Sequence, residues 1–599
     1  MEKSKITKSL AVFASVLLII IIGVASFAYF GTFNVNLNNN VAVNINAVSP
    51  GDATFISSAT QLNLQVPAAN MSFTAANNEA AAAENTAFLD VTLTGSANLL
   101  TTCTYDIVYE YDAGSNIYGQ GTTTKTSGAT KEITIEVNGM NGNNHFGVET
   151  NFDHANVQSY YDSTNKYYKL VEGATIKSLG TEQSVRWKIT GRYYNLTASQ
   201  GQLGGKAFTG KIYAISKGCS SEDGTTVKKG YETILANNGG AASITTLTST
   251  DFATATTASD KGMYKAQDDL GTSYYFRGAV DNNWVKYGKY TKDAYITVDS
   301  NDNYSLVDSC NGLNLCAKLA SKGDDMYWRI IRVNGDNSIR MIYTGTSAPD
   351  NNTKVVMTES TNSSGYIRAT SAGMSKFNQN FDSAEYVGYM YTIGEQHGTS
   401  QSSDIKTYLE DWYANYTDLN KAGTKIIDQI YCNDRTASTS ESGTAGEISS
   451  WASTGTQYAY GAGLRLYGDS SKPSPSLKCT NANDKFTTTI AKGNGKLSYS
   501  VGLITADEVN MAGADNQFNS NASYYLYIGS DYWTGSPIAY SRKQFGGGES
   551  REFGVYDDGR LGAYDVSNND DSMVRGVVSL SSESKLLGSG TYNDVYTVS

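Results

Sequence analysis

Ser403-Asp-Ile-Lys406 places a serine and a lysine one helical turn apart, the spacing at which a lysine can activate a serine for acyl transfer. That chemistry needs a deprotonated lysine and further Ser-Asp-Asn and Lys-Thr-Gly partners, and neither tripeptide occurs. A helix-capping Ser403 beside a solvated Lys406 is the simpler reading. LGGKA (203–207) lacks the first glycine and the Ser/Thr of a phosphate loop, and FGGGES (545–550) reads as a flexible loop. His145 and His154 lie among Asn and Gly without a hydrolase motif, and His397 is the only other histidine. The adjacent pairs Asp557-Asp558 and Asp570-Asp571 lack the ordered ligand loop that Ca²⁺ binding requires, so they read as solvated turns. No catalytic residue, metal ligand set or cofactor motif is therefore assigned.

The cysteines carry a clearer message. Cys103, Cys219, Cys310, Cys316, Cys432 and Cys479 are even in number and contain no Cys-x-x-Cys, which favours disulfides over metal. Pairing 103 with 219, 310 with 316 and 432 with 479 keeps each bridge within one expected domain. An oxidising compartment agrees with the N-terminus. MEKSKITK is followed by an uncharged run from Leu10 to Phe30, long enough to span a bilayer. No Lys or Arg follows Lys8 until Lys125, so the positive-inside rule places the N-terminus in the cytoplasm and the remainder outside. A cleaved signal peptide ending near Ser26 and Ala28 is the alternative. The expected localisation is thus the cell membrane, single-pass, with an extracellular bulk.

These segments need elements to position them. The 599 residues are too many for one core. Only 17% are charged while Tyr (43) and Gly (58) abound, a composition suited to short strands and loops. A net charge of −12 argues against a nucleic-acid partner. The expected order is a cytoplasmic tail (1–8), an anchor (9–30), a stalk or first strand (31–49), and a β-sandwich (50–220). A Ser/Thr/Gly-rich linker (221–270) and an α+β domain (271–599) follow. In the sandwich, alternating runs such as FLDVTLTG (88–95), CTYDIVYEY (103–111) and SVRWKITGRYY (184–194) read as strands, with Trp187 in the core and a 103–219 bridge tying the fold together. In the second domain, DMYWRIIRV and SIRMIY should form a hairpin through Asn334-Gly335. Ile405, Tyr408, Leu409, Trp412, Tyr413 and Tyr416 mark one face of a helix capped by Ser403. A second helix is expected over Lys421 to Tyr431, and a third over TADEVNMAG, where Thr505 and Glu508 have capping-box spacing.

YYFRGAVDNNWVKYG, YWRIIRVNGDNSIRMIYTGT, GLITADEVNMAG, YYLYIGSDYWTGSP and the terminal GTYNDVYTV occur in a characteristic order. Together, over about 271–599, they resemble an uncharacterised family of exported bacterial domains with a C-type-lectin-like, formylglycine-generating-enzyme-like fold, often preceded by an immunoglobulin-like domain. The resemblance implies that Trp533 and Ser536-Pro537 lie in the core shortly before the Val574-Arg575 strand. The chain departs from the pattern at Met573 and Gly576. It has none of the Glu-Pro-Asn, Gln-Pro-Asp or Trp-Asn-Asp tripeptides of calcium-dependent sugar sites, and no late cysteine pair.

Within YYLYIGSDYWTGSP, Tyr524, Leu526 and Ile528 should share one face of a strand, with Tyr525 and Tyr527 on the other. The run reads mainly as core. The irregular IAYSRKQFGGGESREFGVYDDGRLGAYD mixes Tyr, Arg and Gly in the manner of a binding loop. Its candidate ligand contacts, with the adjoining Tyr532, are Arg542, Lys543, Arg551, Tyr556 and Tyr564. The expected function is a non-catalytic surface binding or adhesion protein for an extracellular glycan, cell-wall or protein ligand. The alternatives are an exported enzyme acting on cell wall or glycans and a self-assembling envelope protein.

Overall fold

The computed structural model describes residues 45–46, 54–65, 81–95, 98–111, 133–139, 148–151, 161–162, 167–194, 207–300, 303–313, 316–347, 349, 359–362, 365–368, 372–469, 471–514, 520–542, 548–567 and 572–599. The expected anchor lies outside these residues. Among them no helix is long and apolar enough to cross a membrane. The chain is mainly β and divides into two units, Met1–Asn138 with Phe146–Thr225 and Gly139–His145 with Thr226–Ser599.

The period-two pattern of the first unit produces two antiparallel sheets around one core. One contains Thr54–Ser57, Ala81–Thr94, Glu182–Tyr194 and Ile133–Gly139; the other contains Thr60–Gln65, Ala207–Asp223, Leu99–Tyr111 and Tyr167–Ser178. Leu89, Val91 and Leu93 point inward and alternate with more exposed neighbours, as a half-buried strand requires. Trp187 is fully buried, and its Nε1 donates to the Tyr105 hydroxyl of the opposite sheet at 3.1 Å. Cys103 and Cys219 are bonded, but they face each other across adjacent strands of one sheet. The bridge locks a strand pair and does not staple sheet to sheet.

The expected linker is the first correction. Strand Ala207–Asp223 runs into it, and residues 229–268 are integral to the second unit. Gly230–Asn237 is a helix, and Lys261–Gln267 is an edge strand paired with Thr272–Gly278. A low-hydrophobicity stretch needs only a few apolar anchors. Ile234, Ile244 and Met263 enter the main core, while Phe252 packs on Tyr275 and Met511. Arg277 completes the attachment by donating to the carbonyls of Asp251, Thr254, Asn510 and Met511.

The second unit is built on an eight-stranded sheet that includes Asp325–Val333, Ile339–Gly345, Trp284–Lys289, Val577–Leu580 and, in parallel with Trp284–Lys289, Tyr596–Val598. A five-stranded sheet carries Tyr458–Tyr460, Tyr532–Arg542, Gly548–Val555 and Leu561–Asp565. The hairpin at Asn334 forms, but its left-handed residue is Asn337 (φ 67°). Gly335 is needed instead for close approach, because a Cβ there would strike Gly271 and Asp268.

Helix Asp404–Asp411 buries Ile405, Tyr408 and Leu409 as the periodicity predicts. It continues as a π-helical turn, Trp412–Tyr416, with Trp412 Nε1 bonded to the Tyr290 hydroxyl. The third expected helix is present as Ala506–Ala512, with both halves of the Thr505–Glu508 capping box. No helix forms over 421–431. There the Lys425 and Ile427 amides donate to Tyr287 and Ser579, so the donors that a helix would use internally are spent on tertiary partners. Likewise 524–528 is an irregular turn. Both presumed strand faces are buried, with only Tyr527 partly exposed, and Arg575 Nη1 donates to the Leu526 carbonyl. The remaining disulfides are Cys310–Cys316 and Cys432–Cys479.

Candidate functional site

Strands Gly548–Val555 and Leu561–Asp565 are joined by a turn held by Gly559 (φ 85°), whose amide donates to the Tyr556 carbonyl. That turn displays Tyr556 and Arg560. An aromatic series rises to it from the core. Ring centroids are 5.8 Å apart for Phe377–Trp533, 5.6 Å for Trp533–Tyr564 and 4.6 Å for Tyr564–Tyr556. The Arg560 guanidinium lies 4.4 Å from the Tyr556 centroid and its Nε bonds Asp558 at 3.0 Å. Arg551, 42% exposed, projects from the same strand pair and contacts Glu549 at 2.9 Å.

Of the six residues expected to contact a ligand, Arg551 and Tyr556 are partly exposed in the structure. Tyr532 is 0% and Tyr564 7% exposed, which corrects both assignments. Strand alternation turns Tyr532 into the core, where it packs against Arg575, and Tyr564 is covered between Trp533 and Tyr556. Arg542 ends its strand opposite Gly548, and its side chain, like all of Lys543, lies outside the described residues. Asp557 is exposed while Asp558 is engaged by Arg560 and Ser520. Asp570, Asp571, His145 and His154 lie outside the described residues, as do 203–206 and 545–547; Gly548 to Ser550 of the expected loop belong to a strand.

A second feature is a small cleft beside the Cys432–Cys479 bridge. Three arginines meet four carboxylates there. Arg332 bonds Asp268 (2.7 Å) and Glu508 (2.9 Å), Arg340 Nε lies 2.7 Å from Glu508, and Arg465 bonds Asp434 (2.7 Å) and Asp507 (2.9 Å). Burial would push the Glu508 carboxyl up, but Arg340 and Arg332 outweigh it and hold it at about 2. With each guanidinium matched, the cleft has no excess positive charge for an anion. The sequence signal was arginine inside the apolar runs DMYWRIIRV and SIRMIY, since a charge at a core-strand position demands a partner.

Ser403 caps its helix, accepting from the Lys406 amide and donating to the Tyr389 carbonyl. Lys406 is not solvated, however. It is 3% exposed and paired with Glu410 at 2.8 Å, which removes it as a base for Ser403. Among the described residues, the fully buried Glu552 has no hydrogen-bond partner on either carboxyl oxygen, and burial pushes it well above the carboxylate range, with Arg435 offsetting only part.

No protein-family model, curated protein or solved structure matches this chain. Among the described residues no group of three His, Cys, Asp or Glu side chains is arranged to hold a metal ion.

Proposed function

We propose that this chain is an exported, membrane-anchored surface protein that binds an extracellular glycan, cell-wall or protein ligand without catalysis. In this reading an immunoglobulin-like sandwich carries a C-type-lectin-like domain, and the ligand meets the face formed by Arg551, Tyr556 and Arg560. One observation carries it: Tyr556 is fixed from below by Tyr564 and capped by the Arg560 guanidinium, on a turn between two paired strands. A rigid aromatic and arginine pair loses little conformational entropy on binding, which is why such residues dominate binding energy. The three disulfides fit an oxidising, extracellular setting.

The test is binding of soluble residues 45–599 to glycan, cell-wall and surface-protein panels, with Arg551→Ala, Tyr556→Ala and Arg560→Ala variants. The expected result is a ligand whose affinity falls at least about tenfold in Tyr556→Ala and Arg560→Ala, as loss of a binding hot spot requires. Reproducible turnover of a glycan or cell-wall substrate overturns the proposal, as does binding that none of the three variants alters.

A further inference from the structure

We infer that Asn311 is a self-modifying site, at which the folded chain converts an asparagine amide into an aspartyl or isoaspartyl linkage without an enzyme. Four Asn-Gly pairs have described side chains, beginning at Asn238, Asn311, Asn334 and Asn494. Glycine lacks the Cβ that would hinder attack by its amide nitrogen on the preceding side chain, so the dipeptide is the local requirement for this chemistry. The fold then decides which pair reacts, because the attacking nitrogen and the side-chain amide must both be free to move.

Three of the pairs are tied at both groups. Gly335 N donates to Asp268 Oδ2 at 2.9 Å, and the buried Asn334 donates through Nδ2 to Ser338 Oγ at 2.7 Å. Gly495 N donates to Thr487 Oγ1 at 3.1 Å, while Asn494 Nδ2 donates to the Asn483 carbonyl at 2.7 Å. Gly239 N donates to the Ala236 carbonyl at 3.3 Å and Asn238 Nδ2 to the Ile234 carbonyl at 2.8 Å. Asn311 and Gly312 differ. Both are exposed, and neither the Asn311 side chain nor the Gly312 amide has a hydrogen-bond partner among the described residues. A Cβ at Gly312 would meet nothing within 4 Å, so the pair also has room to change shape.

The pair occupies the two central positions of a turn in which Leu313 N donates to the Cys310 carbonyl at 3.1 Å and Gly312 has φ 78°. That turn lies inside the ring closed by Cys310–Cys316, between strands Tyr304–Val307 and Cys316–Ala320, both paired with Ala294–Val298. The step balances without oxidant or reductant. Gly312 N gives up its proton and bonds to Asn311 Cγ; the Cγ–Nδ2 bond breaks and ammonia leaves. Water then opens the resulting succinimide at either carbonyl, giving aspartate from one and isoaspartate from the other. Each product adds a negative charge to the ring. The disulfide holds the ring ends together, so the extra backbone methylene of isoaspartate stays within the ring and the strand pairs persist.

The experiment incubates the full chain at mildly alkaline pH, natively folded and, separately, unfolded in denaturant with its disulfides intact. Peptide mapping by mass spectrometry follows each Asn-Gly pair, and an isoaspartyl methyl-transfer assay distinguishes the two products. In the folded chain Asn311 should convert at least about tenfold faster than the other three, each of which must first break two hydrogen bonds. In denaturant the four rates should converge, since sequence alone then acts. Gly312→Ala should slow the reaction at Asn311, and Asn311→Gln should remove it. Absence of conversion at Asn311 in the folded chain overturns the inference, as do equal rates at the four pairs. So does a preference for Asn311 that persists undiminished in denaturant, since the fold would then have no part in it.

Discussion

Glu508 Oε1 accepts a hydrogen bond from Arg332 Nε at 2.9 Å and lies 2.7 Å from Arg340 Nε, while Oε2 accepts from the Thr505 amide and closes the cap of helix Ala506–Ala512. One carboxylate thus serves a local motif and an ion-pair cluster drawn from strands more than 160 residues away. Glu508→Gln keeps a cap acceptor and removes the charge, leaving two buried guanidiniums short of a partner. The expected loss is about 3–5 kcal/mol, read from denaturant unfolding. The pH dependence follows the sign of the shift. Because the folded carboxyl sits at about 2, below its ordinary 4.5, its stabilisation is present above pH 4.5 and is lost as pH falls toward 2. The gap between wild type and Glu508→Gln should therefore narrow across that window; a gap that stays constant contradicts the assignment.

Glu552 behaves in the opposite sense. Its folded carboxyl is raised well above the unfolded value by burial, so folding takes up a proton above pH 4.5. The native state is favoured below pH 4.5 and loses stability as pH rises above it. Glu552→Gln supplies a neutral side chain of the same shape, and we expect it to be more stable than wild type at pH 7 by at least about 1 kcal/mol. Thermal melts from pH 4 to 8 should show the wild-type decline flattened in the variant. An equal decline in both proteins would place the titration elsewhere.

Removal of the Cys103–Cys219 bridge, which closes 116 residues, tests what holds the sandwich. The double alanine variant should lose about 2–5 kcal/mol in the transition of the first unit, seen as a lower Tm by calorimetry. A Tm unchanged from wild type would mean that the thirteen-pair strand register between Gly210–Asp223 and Leu99–Tyr111 suffices alone.

Gly559→Ala probes the turn beneath Tyr556 and Arg560. The position has φ 85°, and an added Cβ would collide with the Asn521 carbonyl. The expected cost is at least about 1 kcal/mol, with ligand binding reduced as strongly as in Tyr556→Ala. Binding retained at full strength in a destabilised variant would separate the turn from the ligand face.

What the sequence determined by itself is the part governed by short-range geometry. Period-two alternation placed Leu89, Val91 and Leu93 in a sandwich core. The 3.6-residue spacing placed Ile405, Tyr408 and Leu409 on the buried face of a helix, and capping chemistry bounded it at Ser403 and the next at Thr505. The even set of cysteines was paired correctly because each bridge stays within one compact unit. Only the tertiary structure decided the rest. A polar, Thr-rich stretch became integral because Ile234, Ile244 and Met263 found one core; the 421–431 backbone left helix geometry because distant acceptors were better placed; and Tyr532 and Tyr564 turned inward because the sheet faces that way. Arg332 meeting Glu508, and Asp484 meeting His397, leave no local trace. A buried charge announces that it needs a partner, but which partner it finds depends on the segments that folding brings beside it.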